Sequence, residues 1–216
     1  MVSQTNSTYF TNTRKDVLPF IPQTCRALLD IGCGAGEFGA LVKRTMNTEV
    51  WGVDINEQAA QLATRKLDHV LNAPFLEGLD LPSDYFDVIT FNDSLEHFPD
   101  PAPPLALCKK MLKTDGVVIC SVPNVRYIEN VMHFLVDMDW KYEDSGILDR
   151  THLKFFTKKS IARTFETEGY DVLSVTGINP HYWSGKKIFL LRLFFGKWVE
   201  DMKFLNYVVT ARPKLR

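Results

Sequence analysis

The stretch Leu28-Leu29-Asp30-Ile31-Gly32-Cys33-Gly34-Ala35-Gly36-Glu37-Phe38-Gly39 decides how this chain is read. An apolar run ends in closely spaced glycines, and Glu37 to Met46 then repeats apolar residues at helical spacing: Phe38, Leu41, Val42 and Met46. Strand, glycine turn and helix follow one another directly. Glycine tolerates positive φ and has no Cβ, so such a turn bends sharply and lets a ligand approach backbone amides at a helix N-terminus. Gly32, Gly34 and Gly36 are therefore candidate cofactor-binding residues, with Cys33 counted in the same loop and its side chain read as a small filler. Gly34, Gly36 and Gly39 also satisfy the G-x-G-x-x-G of dinucleotide folds, so the glycines alone leave the cofactor open.

Two carboxylates narrow the choice. Asp54 closes the next apolar run, Glu49 to Val53, where it would accept hydrogen bonds from ribose hydroxyls of either cofactor class. Asp30 precedes the first glycine. A carboxylate there attracts an ammonium and repels a pyrophosphate, which favours S-adenosylmethionine (SAM) over a nicotinamide dinucleotide.

Outward from this centre the apolar runs alternate with helical patterns. Asp16 to Ile21 reads as the end of an opening helix, broken at Pro22. Glu57 to Leu67 reads as a second helix, Phe86 to Phe91 as a buried strand beyond Pro74 and Pro82, Pro104 to Leu112 as a helix, and Val117 to Val122 as a buried strand closed by Pro123. Phe156 to Gly169 is helical with Thr157 as N-cap and Gly169 as its stop, and Val172 to Thr176 and Tyr207 to Ala211 supply the last strands. Continuously apolar strands separated by helices predict a parallel sheet covered on both faces.

At 216 residues, 45% of them apolar and 24% charged, the chain suits one domain with a substantial core. A net charge of −1 provides no field for a polyanion, so nucleic acid is not an expected partner. Cys25, Cys33, Cys108 and Cys120 are scattered without a paired motif and no His stands at metal spacing, so neither a zinc site nor a disulfide framework is indicated, and no metal is expected. No run is long and apolar enough for a transmembrane segment, and a cytoplasmic location is expected. The apolar stretch 188–195 reads as a packing helix or the face of a homodimer.

The order of these motifs resembles the class I SAM-dependent methyltransferases over nearly the whole chain. The resemblance implies an α/β, Rossmann-like fold: a seven-stranded, mostly parallel sheet with helices on both faces and an antiparallel last strand. It places the glycine loop under the methionine part of SAM, Asp54 with Ile55 at the ribose, and Leu76 and Glu77 beside the adenine. Asp87-Val88-Ile89-Thr90-Phe91-Asn92-Asp93-Ser94-Leu95-Glu96-His97-Phe98 resembles the fourth-strand motif, with Asn92 and Asp93 at the strand's carboxyl end. Leu112 to Ile119 resembles the following turn and fifth strand, Gly116 forming a hairpin-like corner.

Ser121-Val122-Pro123-Asn124-Val125 and Ser145 to Thr157 are similar to methyltransferase domains of bacterial surface-polysaccharide and glycosyltransferase systems. That narrower resemblance implies polysaccharide biosynthesis and a saccharide or other small-molecule hydroxyl acceptor. It also implies that Tyr9 and Arg14 close over SAM and its carboxylate. One domain, 1–216, is expected, with 1–25 as an N-terminal helix or lid, 124–155 as an insertion on the acceptor side, and 180–205 as a helical segment before the last strand.

Methyl transfer to a hydroxyl leaves S-adenosylhomocysteine and releases a proton that a positioned base can take. His152 is the first candidate, with Asp149 nearby to orient it; Asp93 is the second. A latch made by His152 and Arg150 is the competing structural role, and His97 after Glu96 reads mainly as loop-shaping. Tyr127, Trp140 and Tyr142 are candidate walls of an acceptor pocket. Nitrogen methylation, a natural-product acceptor, an NAD-dependent oxidoreductase and a non-catalytic SAM-binding module remain the alternatives.

Overall fold

A computed structural model describes residues 13–181 and 196–214; Tyr9 and the stretch 188–195 lie outside the described residues. The strands are β1 (Ala27–Ile31), β2 (Glu49–Asp54), β3 (His69–Asn72), β4 (Phe86–Asn92), β5 (Leu112–Pro123), β6 (Tyr170–Pro180) and β7 (Phe204–Pro213). They form one sheet in the order β3-β2-β1-β4-β5-β7-β6. β1 to β5 run parallel, and β7 is antiparallel to both β5 and β6, as the family resemblance implies. The chain winds outward from β1 to β3 and then returns to β4 on the other side of β1. That reversal opens a crevice at the carboxyl ends of β1 and β4.

Helices α1 (Glu37–Thr45), α2 (Glu57–Ala63), α3 (Ala102–Met111), α4 (Ile128–Met132) and α5 (Lys158–Thr167) accompany the sheet. The strands divide their side chains with period two between two cores. Leu29, Ile31, Ile89, Phe91 and Val118 pack with Leu105 and Met111 of α3 and Ile161 and Phe165 of α5. Leu28, Val88, Val117 and Ile119 pack on the opposite face with Phe38 and Val42 of α1 and Ala63 of α2. Both faces are covered, which is why these strands read as continuous apolar runs.

Several element boundaries differ from the sequence reading. Over Asp16 to Ile21, read as the end of an opening helix, the helical part is one 3-10 turn, Leu18–Phe20. α2 ends at Ala63, and Leu67, expected inside it, packs from the following turn into the α1-side core. β3 gave no alternation of its own, because this short edge strand is only partly buried. α3 begins at Ala102 and ends at Met111, since Leu112 already pairs with Phe86 in β5. Gly116 lies within β5 rather than at a corner: the register shifts between Phe86 and Val88, and a Cβ on Gly116 would come within 2.9 Å of the Phe86 carbonyl oxygen. Between 180 and 205 the described helical part is a 3-10 segment, Gly196–Lys203. Among the described residues, no helix is long and apolar enough to cross a membrane.

Candidate active site

The glycine turn is held from two sides. The amides of Gly32 and Cys33 donate to the Val53 carbonyl at 2.8 and 3.2 Å, tying the end of β1 to the end of β2. Gly32 has φ +76°, and a Cβ there would approach the Ser94 Cβ to 2.7 Å, so conformation and space both require glycine. Gly36, also at φ +76°, is the residue that precedes α1. The Asp54 carboxylate accepts the Gly34 amide at 2.7 Å through one oxygen and the Asn56 amide at 2.8 Å through the other. Each oxygen has a second lone pair, so Asp54 can organise the turn and still accept from a diol.

Asp30 is 1% exposed and faces its register partner Thr90 across β1 and β4. Its Oδ1 accepts from Thr90 Oγ1 at 2.7 Å and from Asn92 Nδ2 at 3.1 Å. Oδ2 takes no hydrogen bond from the described residues, and Asn92 Oδ1 is buried without a partner. Burial, opposed by those two bonds, pushes the Asp30 carboxyl up to about 6, so it is an anion at neutral pH. An acidic group and an orphaned amide oxygen beside a glycine cradle fit a cofactor with an ammonium. Ile55 and Leu76, 74% and 57% exposed, are aliphatic side chains left in solvent just beyond β2 and β3, where they can cover a flat heterocycle.

One expected contact is corrected. Glu77 turns outward and pairs with Lys110 of α3 at 2.6 Å, with its side chain 82% exposed, so its carboxylate is engaged away from the strand ends. Cys33 directs its thiol into the α1-side core: a Cβ built on Gly52 would meet its sulfur at 2.7 Å. Burial holds that thiol protonated. Cys33 contributes backbone to the loop, and its side chain is packing.

Beyond β4 the site becomes an open cavity of about 550 Å³, within the range of small-ligand pockets. Arg14, Asp93, Asp149, His152, Asn179 and Asn206 are among its lining residues. Arg14 is buried and its guanidinium bonds to Asp93 and to Asp16, at 3.2 Å to the latter. Asp93 sits at φ +49°, donates its amide to the Ser121 carbonyl at 3.1 Å, and accepts from Asn206 Nδ2 at 3.1 Å. Arg14, expected at a cofactor carboxylate, is thus joined to the residue expected to act as second base. Asn179 and Asn206 escaped the sequence reading, their only signal being an amide in an otherwise apolar or β-branched strand.

His152 lines this cavity and is 7% exposed. Its Nδ1 lies 2.9 Å from the Ile147 carbonyl oxygen, which can only accept, so the neutral ring carries its proton on Nδ1 and its lone pair on Nε2. Asp149 does not orient the imidazole as expected: its Oδ1 accepts from the amide and hydroxyl of Thr151 at 2.8 and 2.6 Å, shaping the turn instead. The latch exists but in the backbone, where the amides of Leu153 and Lys154 donate to the Glu96 carbonyl at 2.9 and 3.0 Å. Arg150 takes no part in it and pairs with Asp144 at 2.8 Å on the surface.

The aromatic residues expected as pocket walls lie elsewhere. Trp140 and Tyr142 gather around Phe155, at ring separations of 5.3 and 6.3 Å, and Tyr127 packs against His181 at 5.6 Å. A different residue stands out beside the cavity: Glu96 is wholly buried, and neither carboxyl oxygen has a hydrogen-bond partner among the described residues. Burial, reinforced by the charge of Asp93, holds its carboxyl well above the usual carboxylate range.

A methyltransferase-domain family model matches residues 7–175 of this sequence. This chain belongs to that family. It is similar to the ubiquinone biosynthesis O-methyltransferase of Neisseria meningitidis serogroup A, 30% identical over 197 residues that cover 87% of this chain and 77% of that protein. It is also similar to the protein of that name from Photobacterium profundum, 29% identical over 180 residues, 76% of this chain and 73% of that one. A SAM-dependent methyltransferase from Archaeoglobus fulgidus has the same fold with a TM-score of 0.63 at 26% identity, covering 88% of this chain and 86% of its own. For a SAM-dependent methyltransferase from Mesorhizobium loti the TM-score is 0.62 at 18% identity, covering 91% and 95%, a likeness of fold.

This methyltransferase takes SAM as its cofactor, and the nicotinamide alternative falls away. The sulfonium of SAM supplies an electrophilic methyl group. Around it Asp30 would hold the ammonium, Asp54 the ribose, and Ile55 with Leu76 the adenine faces.

Proposed function

We propose that this methyltransferase modifies a hydroxyl oxygen of a small, polar acceptor, a sugar or saccharide in the first instance. The observation that carries this reading is the composition of the cavity beyond Asp93, whose walls offer guanidinium, carboxylate, imidazole and carboxamide groups. A polyhydroxylated molecule satisfies such donors and acceptors, whereas a long hydrocarbon would leave them desolvated and unpaired. The O-methyltransferases among its relatives support oxygen as the atom modified. His152 accepts the acceptor's proton on Nε2 as the oxygen attacks the methyl carbon in line with the departing sulfur; Asp93, bonded to Arg14, positions the acceptor and is the second candidate for the proton. The 124–155 insertion supplies one wall, and a place in cytoplasmic polysaccharide biosynthesis follows from such an acceptor.

A more apolar acceptor from ubiquinone biosynthesis, the pathway in the relatives' names, is the second reading. It is favoured by Phe134, Leu135, Val136 and Met138, which are 52% to 86% exposed just after α4. The test is release of S-adenosylhomocysteine with a panel of free sugars, nucleotide sugars, polyhydroxylated phenols and amines. Turnover confined to sugars is expected; turnover with phenols alone selects the second reading, and turnover with amines alone overturns oxygen methylation.

A further inference from the structure

We propose that Glu96, His97 and His152 form a binding site for one first-row divalent cation, zinc in the first instance, beside the acceptor cavity that His152 lines. Glu96 and His97 lie on the 3-10 turn Leu95–His97 after β4, and His152 arrives from the insertion. One ligand atom from each lies within 4.8 Å of the others. The backbone bonds from Leu153 and Lys154 to the Glu96 carbonyl fasten the two segments to each other, so the cluster is a product of the fold.

Three features suit it to a metal. The Glu96 carboxyl is fully buried and unpartnered, a costly arrangement that a cation would relieve directly. His152 Nε2 lies 3.9 Å from Glu96 Oε1, too far for a hydrogen bond yet close enough for both to reach one ion. Both imidazoles also have Nδ1 against a backbone carbonyl, His97 on Thr151 at 3.1 Å and His152 on Ile147 at 2.9 Å. A carbonyl fixes the tautomer with the lone pair on Nε2, as it does for histidines that bind metals.

Ligand atoms around a tetrahedral zinc with bonds near 2.1 Å stand about 3.4 Å apart, so the cluster, now within 4.8 Å, must close by up to about 1.4 Å. His97, half-buried, is the least enclosed of the three. Two histidines and a glutamate leave a fourth position open, and the two imidazoles favour zinc over magnesium or calcium.

The cation's role, though not its binding, rests on the oxygen-methylation reading. A hydroxyl bound at the open position would become more acidic. His152 would then hold the ion, and the proton would leave to solvent through the cavity.

The test uses the full-length protein, stripped with a chelator and titrated calorimetrically with zinc alone. Cobalt is added separately for its visible absorption. One zinc per chain is expected, with cobalt bands of four- or five-coordinate intensity. Glu96→Gln and His97→Ala should each weaken zinc binding by about 100-fold or more while SAM binding stays within threefold, which shows that each variant is folded. No binding by the stripped protein, or zinc affinity unchanged in His97→Ala with SAM binding intact, overturns the site. SAM binding and methyl transfer without zinc binding would overturn this inference alone. Zinc binding with no transfer to any hydroxyl would overturn the oxygen-methylation reading alone.

Discussion

Asp54 accepts the amide hydrogen of Gly34 at 2.7 Å, so the residue that ends β2 also fixes the turn that ends β1. Replacing it with alanine removes the acceptor for that amide and for Asn56 as well as the group expected at the ribose. Asp54→Ala is expected to weaken SAM binding by about 1.5–3 kcal/mol, read by calorimetry. The cofactor-free protein should lose about 1–3 kcal/mol in urea, because two part-buried amides lose their partner.

Asp30 gives the protein a pH signature. Its carboxyl rises from 3.8 to about 6 on folding, so between those values the folded state binds more protons than the unfolded one. The stability from this group is complete below pH 3.8 and is lost as pH rises through 6, a loss of the order of 3 kcal/mol. Denaturation across this range should show a loss in the wild type that is smaller in Asp30→Asn by about that amount. SAM binding should move the opposite way, weakening about tenfold from pH 8 to pH 5 as the carboxylate is protonated, with the dependence absent in the variant.

Gly32→Ala meets both a positive φ and the Ser94 Cβ at 2.7 Å. A loss of about 2–4 kcal/mol is expected in urea denaturation. Gly78, at φ +95° with nothing within 4 Å of a built Cβ, separates the two effects. Gly78→Ala should lose only the conformational part, about 1–2 kcal/mol.

Thr157 and Ser160 form a reciprocal cap on α5, the Ser160 amide donating to Thr157 Oγ1 at 3.1 Å and the Thr157 amide to Ser160 Oγ at 2.8 Å. Thr157→Ala should destabilise by about 0.5–2 kcal/mol in thermal denaturation. With Ser160→Ala added, the combined loss should fall short of the sum, because each substitution already dismantles the same cap.

His152→Ala should leave SAM affinity within about threefold and lower kcat by about 100-fold or more. Single-turnover rates with an accepted hydroxyl compound would show this. Full activity would leave His152 only its place in the segment fastened to Glu96.

The division between chain and fold can be followed in particular residues. The sheet was legible because burial on both faces imposes continuous apolar runs, and β1, β4 and β5 carry them. The cofactor loop was legible because Gly32 must occupy a positive φ against Ser94, a demand that leaves its mark in residue type. β3 was not, since a partly buried edge strand needs no pattern. The roles of Glu77 and Asp149 were misread because charge tells what a side chain can bind, not which neighbour it will find: one found Lys110 and the other the Thr151 turn.

The sequence by itself determined the parallel α/β sheet, its glycine turn, and the carboxylates Asp30 and Asp54 around it, all set by local conformation and by burial pattern. Only the tertiary structure decided that Arg14 meets Asp93, that Asn179 and Asn206 join a polar cavity, and that Glu96, His97 and His152 converge. These groups come from segments far apart in the chain, and their approach depends on the packing of β4, β7 and the insertion, which no local pattern records.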